Sequence, residues 1–535
     1  MGNFLKRLKN YFCGLNILNY LACIIAIIII LPILNFLIEG FTIIIRGDFS
    51  LGITARTEII GTIKIICLTS LIGGGLGILN GWLLSNCDFK FRKILRTFQL
   101  TPLAAPAYLI TAILQDMGSI FGFQITGMTW GVLILSIATY PYVFLLTSES
   151  FNKFGVNQIN ASRGLGVGPW QSFFRIAFPM ALPAFVTGIS LMSMEVMNEL
   201  GTFELLNIPS ISTGITENWI IDGNPNGAIG LSLVSLLMVF SLIFVEKFSR
   251  RKTRRWSDNP SINKSQGWKL RKFRQILAIC SASLPPLFSL GIPILWISLN
   301  TDQILRGING ELLILTLRTI GLGVATALVA IIFSILVSLA NRWSKNVFVK
   351  IITFSSGIGY AIPGTVLAIS LLTLVNSRFY FLPILLLIWG YTDRFLTISK
   401  GSLDSSLERI SPNIDEAATG LGANKLRVIR DIHIPLLRGP ILVGGLLVFV
   451  DTIKELPITF LLRPFDFDTL SVRIYQYAGD ERMAEAILPA ILITILGLVA
   501  SSTLIPSLDS QKAISSENIS SIKKESSKIS LQKLK

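Results

Sequence analysis

The sequence predicts an all-α integral membrane protein of about twelve transmembrane helices, built as two parallel six-helix repeats. Three observations point there. Of 535 residues, 51% are hydrophobic and 15% charged, with a mean hydropathy of +0.65, a balance foreign to water-soluble domains. Apolar runs able to cross about 30 Å of hydrocarbon as helices recur along the whole length. The second half also repeats the first at a constant displacement, the signature of an internally duplicated fold.

The runs fall at 16–39, 58–84, 98–115, 128–147, 181–199, 228–246, 276–298, 314–340, 350–375, 380–397, 437–453 and 484–506. The first follows Lys6, Arg7 and Lys9 but is too long for a signal-peptide core and lacks a small-residue cleavage site, so it reads as an uncleaved span after a cytoplasmic segment 1–15. Segments 16–246 and 276–506 then form two membrane domains. Between them, 247–275 carries eleven Lys or Arg against Asp258 alone, whereas 116–127 and 200–227 carry none. That alternation follows the positive-inside rule and explains the net charge of +16 by topology, not by nucleic-acid binding. It makes 247–275 a cytoplasmic linker and places both termini inside. The tail 507–535 is polar and reads as a solvated, disordered cytoplasmic segment. Cys13, Cys23, Cys67, Cys87 and Cys280 show no metal or disulfide spacing, and a single histidine argues against imidazole-held metals.

A displacement of 256 pairs Asn160 with Glu416, Ala161 with Ala417, Ser162 with Ala418, Gly166 with Gly422, Ile176 with Ile432 and Pro179 with Pro435. It also pairs Glu195 with Asp451, Glu199 with Glu455 and Gly223 with Gly479; Pro106 and Pro363 match with a one-residue slip. Six spans per half put both halves in the membrane the same way up, related by a pseudo-twofold axis along the membrane normal.

Two polar segments, 149–180 and 399–436, interrupt the apolar runs at equivalent places and exceed ordinary helix connections. In the second, Glu416-Ala417-Ala418 is expected to open a helix capped by Asp415. Gly420 and Gly422 should break it, "ANKLRVIRDIHI" resume it, and Pro435 punctuate entry into the next span. Glu416, Ala417, Ala418, Gly422, Ile432 and Pro435, at these spacings, resemble the EAA signature of ABC importer permeases. The first-half copy keeps Ala161, Gly166 and Pro179 but has Asn160 for Glu and Ser162 for Ala, which implies weaker or differently polarised docking. The resemblance implies the type I importer fold, in which these elbows seat a separate ATPase subunit, two copies to match the twofold. No GxxxxGK[ST] motif occurs, so ATP would bind the partner, and the chain itself is expected to be no enzyme and to hold no cofactor. The loop typical of major-facilitator carriers is missing from 85–97.

The stretch 451–490, above all "KELPITFLLRPFDFDTL", is similar to ferric iron permeases, which implies Fe(III) uptake across a bacterial inner membrane from an external solute-binding protein. Thiamine, polyamine and sulfate permeases share the general plan. Glu195 and Glu199, like Asp451 and Glu455, are four apart and would share a helix face. Acids at membrane depth are costly and mark pathways, and hard oxygen ligands suit transient contact with a hard cation. The bland alternative is that they snorkel to water or neutralise Lys454 and Arg463 at the helix ends.

Overall fold

The computed structural model describes residues 17–153, 162, 164–253, 268–301, 310–375, 383–408 and 410–499. The expectations for 1–15, Asn160, Ala161, much of the linker and the tail 507–535 lie outside them. The first half contains α1 (Ile17–Arg46), α2 (Ala55–Asn86), α3 (Arg92–Phe98), α4 (Ala107–Phe121), α5 (Met128–Lys153), α6 (Trp170–Asn198), α7 (Gly201–Leu205), α8 (Ile211–Thr216) and α9 (Pro225–Thr253). The second repeats the series as α10 (Phe273–Leu299), α11 (Gly310–Trp343), α12 (Val347–Ser355), α13 (Gly364–Leu374), α14 (Pro383–Leu407), then α15 (Pro412–Gly420), α16 (Lys425–Ile453), α17 (Pro457–Leu462), α18 (Leu470–Gly479) and α19 (Met483–Val499).

Each half is organised on three mutually packed helices: α2, α5 and α6 in the first, α11, α14 and α16 in the second. Gly73, Gly77 and Gly188 let α2, α5 and α6 approach closely: a Cβ on Gly77 would lie 2.7 Å from Val143 Cβ and one on Gly188 2.7 Å from Val143 Cα. The opening helix of each half crosses to the other. Helix α1 packs on α11, α12 and α13, while α10 packs on α2, α3 and α4.

Among the described residues, eight helices are long and apolar enough to span a membrane unbroken. The other four expected spans differ in instructive ways. Segment 98–115 is not straight: Arg92–Leu103 and Ala107–Phe121 meet at 92°. Pro106 stands just before α4 with an extended ψ of 146°, and the residue preceding a proline is steered out of the helical region. Segment 350–375 breaks likewise at Pro363, ψ 142°. Helix α14 is long enough but carries Asp393, Arg394, Lys400 and Asp404, and α19 is short within the described residues.

Pro435 corrects another expectation, because the chain runs helically through it from Lys425 to Ile453. A widened π turn, Ile429–His433, precedes it, and its twin Phe173–Ala177 precedes Pro179 at the same 256-residue displacement. Proline lacks an N–H and its ring crowds the carbonyl four residues back. The wider turn re-pairs the backbone instead, with Ile434 N–H donating to Ile429 O and Phe178 N–H to Phe173 O.

Candidate functional site

Four helices converge on a small charged centre. Helix α6 brings Glu195 and Asn198, and α16 brings Asp451, followed by Lys454 and Glu455 at its end. Helix α14 contributes Arg394, 2% exposed. The Arg394 guanidinium lies 3.8 Å from both Glu195 Oε2 and Glu455 Oε2. It also donates hydrogen bonds to Asn198 Oδ1 and Ile362 O. The Tyr360 ring flanks it at 5.8 Å, and the Tyr360 hydroxyl reaches Glu195 Oε2 at 3.5 Å and Tyr142 at 3.3 Å. One cation thus bridges an acid from each half.

Asn198 ties this cluster to the half-helix α13, whose first N–H, from Gly364, donates to Asn198 Oδ1 at 2.7 Å. Residue 364 must be small, because a Cβ there would fall 2.8 Å from Glu455 Oε1 and 3.0 Å from Asn198 Oδ1. A broken span therefore aims the positive end of its helix dipole at the acids. A cavity of about 70 Å³ adjoins the cluster, lined by Glu195, Asn198, Glu199, Lys454, Glu455 and Tyr142 among others. At about 10–15 Å³ of such space per water, it has room for several waters or a small ion.

Of the four acids expected on a path, Glu195, Glu199 and Glu455 line this cavity and Asp451 does not. The shared-face argument fails at the second member of each pair. Helix α6 ends at Asn198, leaving Glu199 with ψ 135°, and α16 ends at Ile453. Glu199 instead accepts from Thr202 N–H and Oγ1 at 3.1 and 2.8 Å, opening α7, and Glu455 accepts from Ile458 N–H at 3.4 Å, opening α17. Asp451 pairs with Lys454 at 2.8 Å, as the bland alternative has it, whereas Arg463 pairs with Asp468. The sequence reading missed Arg394 and Asn198. A signal was present in the adjacent Asp393 and Arg394 within an apolar run, since charges at that depth mark functional positions by default.

The second candidate region lies at one end of the bundle. Helix α15 is capped by Ser411, whose side chain accepts from Asn413 N–H, with Pro412 at the first helical position. Asp415 is therefore not the cap; it sits one turn inside. Its Oδ2 accepts from Arg342 Nε at 2.8 Å and Trp343 Nε1 at 2.9 Å, and its Oδ1 lies 2.9 Å from Nε2 of His433, the chain's sole histidine. Arg342 also holds Leu407 O and Ile410 O at 2.6 and 3.0 Å. This clasp joins α15 to the end of α11 and to the π turn of α16. With the one-residue slip that holds along α2 and α11, the first-half equivalents of Arg342, Trp343 and His433 are Ser85, Asn86 and Ala177, which cannot form it. There the linker contributes instead: Trp268 pairs with Cys87 through the backbone and its ring lies 5.4 Å from Trp82.

Glu416 and Ala417 are exposed, Ala418 and Ile432 half-buried, and Leu421 and Leu426 stand out at 90% and 75% exposure beside them. Gly166 and Gly422 take the left-handed conformation at φ +74° and +84°, where a Cβ is disfavoured. Ser162 is buried, with its hydroxyl 2.8 Å from Ser172 Oγ.

A duplicated helical bundle with a charged cavity between its halves and an apolar-studded polar elbow at one end is the architecture of a membrane permease component. The chain belongs to the family described as binding-protein-dependent transport system inner membrane component, which it matches twice, over residues 73–255 and 330–511. It is similar to the Fe(3+)-transport system permease protein FbpB 2 of Haemophilus influenzae, 22% identical over 497 residues, covering 89% of this chain and 96% of the relative. It also resembles the molybdenum transport system permease protein ModB of Escherichia coli (27% over 212 residues, 35% and 91%). The probable sulfate transport system permease protein cysT of Helicosporidium shares 25% over 202 residues, 35% and 75% of the two chains.

Proposed function

We propose that this permease moves Fe(III) into the cytoplasm by alternating access, driven by two copies of a separate ATPase seated under the elbows and supplied by an external solute-binding protein. The observation that carries the substrate is the similarity to a Fe(3+) permease over 89% of the chain, both halves included, against 35% for the molybdenum and sulfate relatives. The oxygen-rich cavity supports it, since carboxylates favour a hard cation. In this reading the basic linker and both termini face the cytoplasm with the elbows, ATP stays on the partner, and the chain binds no cofactor. Asn160, Ala161, Ser162, Gly166 and Pro179 mark the first elbow, and Glu416, Ala417, Ala418, Gly422, Ile432 and Pro435 the second.

Arg394, Lys454 and the α13 dipole favour a second reading, an oxyanion substrate like those named for the shorter relatives. Replacing Glu195, Glu199, Asp451 and Glu455 by their amides separates the two. Iron uptake by cells bearing the complete system is expected to fall at least about tenfold, the equivalent of about 1.4 kcal/mol of lost cation contacts. Unchanged iron uptake, or gained sulfate or molybdate uptake, would sink the iron reading.

Gly422 tests the elbow by the same assay. Nothing lies within 4 Å of a Cβ built there, so only the backbone conformation restricts the residue, at about 1–2 kcal/mol for an ordinary side chain. Gly422→Asn should keep most uptake and Gly422→Val should lose most of it. Equal uptake by both would separate the elbow geometry from transport.

A further inference from the structure

We propose that a groove beside α12, at the end of the bundle that carries α15, binds the phosphate headgroup of an anionic lipid from the adjoining leaflet. The groove encloses about 430 Å³ between α11, α12 and α14, and its lining includes Lys350, Lys400, Asp404, Val347, Ile351 and Phe354. Its polar side is cationic. Lys400 is held by Asp404 at 2.8 Å, which leaves Lys350, exposed and with no ion-pair partner among the described residues, as surplus charge. A third ammonium, Lys247 from α9, lies 5.3 Å from the Phe354 ring centroid.

Its other side is apolar and open, with Val347, Ile351 and Phe354 each more than half exposed. In a membrane-spanning chain this pairing of lysines with bare aliphatic and aromatic surface matches a phosphate joined to acyl chains, and basic pockets between transmembrane helices are suited to such headgroups. The two halves differ at the second of these lysines. At the one-residue slip that matches Pro106 with Pro363, Lys350 corresponds to Lys93, whereas Lys400 corresponds to Phe144, and Phe144 belongs to an apolar cluster against which Trp268 and Leu270 of the linker pack.

Native mass spectrometry of the full-length chain, released from detergent after exposure to equimolar phosphatidylglycerol and phosphatidylcholine, tests the assignment. Phosphatidylglycerol should be retained preferentially. Lys350→Gln should cut that retention about fivefold, the weight of one lysine near an anionic surface, and Lys350→Arg should restore it. Equal retention of the two lipids, or retention unaffected by Lys350→Gln, overturns the proposal. Displacement of the lipid by millimolar glycerol phosphate would make this a soluble-phosphate site and overturn the lipid source. Resistance of Lys350 to amine acetylation in lipid-free protein would show that protein covers the groove, which overturns it as well.

Discussion

Arg394→Ala is expected to stop transport and to destabilise the bundle by about 3–5 kcal/mol, the range for removing one partner from a buried ion pair. The cost arises from what remains. Glu195 and Glu455 would be left side by side without the cation between them, and Asn198 Oδ1 and Ile362 O would lose a donor. Nothing nearby can replace it, because Lys454 is engaged with Asp451. Arg394→Lys keeps the charge but not the planar fork that reaches both halves, so it should recover only part of the stability. Adding Glu195→Gln and Glu455→Gln to Arg394→Ala should restore much of it, since two neutral amides no longer repel. Thermal unfolding in detergent reads stability and iron uptake by whole cells reads transport; an unaltered melting curve for Arg394→Ala would remove the bridge from the account.

Asp415→Ala is expected to have the second-largest effect, a loss of about 1.5–3 kcal/mol of charge-assisted hydrogen bonding at the clasp. Because α15 then loses its tie to α11 and α16, ATP hydrolysis by the assembled transporter should continue while uptake falls severalfold. Equal loss of both activities would argue for general unfolding instead. Burial raises the Asp415 pKa, but hydrogen bonds from Arg342 and Trp343 and the charge of His433 more than offset this and leave it below the ordinary value. The hydrogen bonds from Arg342 and Trp343 are therefore at full strength above the ordinary carboxylate value of about 3.9 and weaken as pH falls through the lower value of Asp415, while His433 adds an ionic contact only when protonated. Between about pH 5 and 8 the Asp415 carboxyl stays ionised, so transport changes there should not come from its titration.

Hydropathy and the displacement of 256 made the class of fold and its duplication readable, because both are properties of many residues at once. The elbow was readable for a local reason: Gly422 needs φ +84°, and glycine serves that need cheaply. Other features depend on partners distant in sequence. Pro106 and Pro363 were visible as a matched pair, but a matched proline does not say whether a span kinks or breaks. Pro435 sits within a continuous helix while Pro363 opens one. The role of Arg394 was hidden because its partners lie far off in sequence, on α6 and just beyond α16. Asp415 and Ser411 are both capping residue types, and it is Pro412, favoured at the first helical position, that decides for Ser411.

The exchange of opening helices, α1 lying on the second half and α10 on the first, has a mechanical consequence. Each half wears a stave that belongs to its neighbour, so the pair cannot simply drift apart like two separate blocks. Relative movement has to be a pivot about the shared seam, and a push delivered beneath one half is carried into the other by covalent chain as well as by contact.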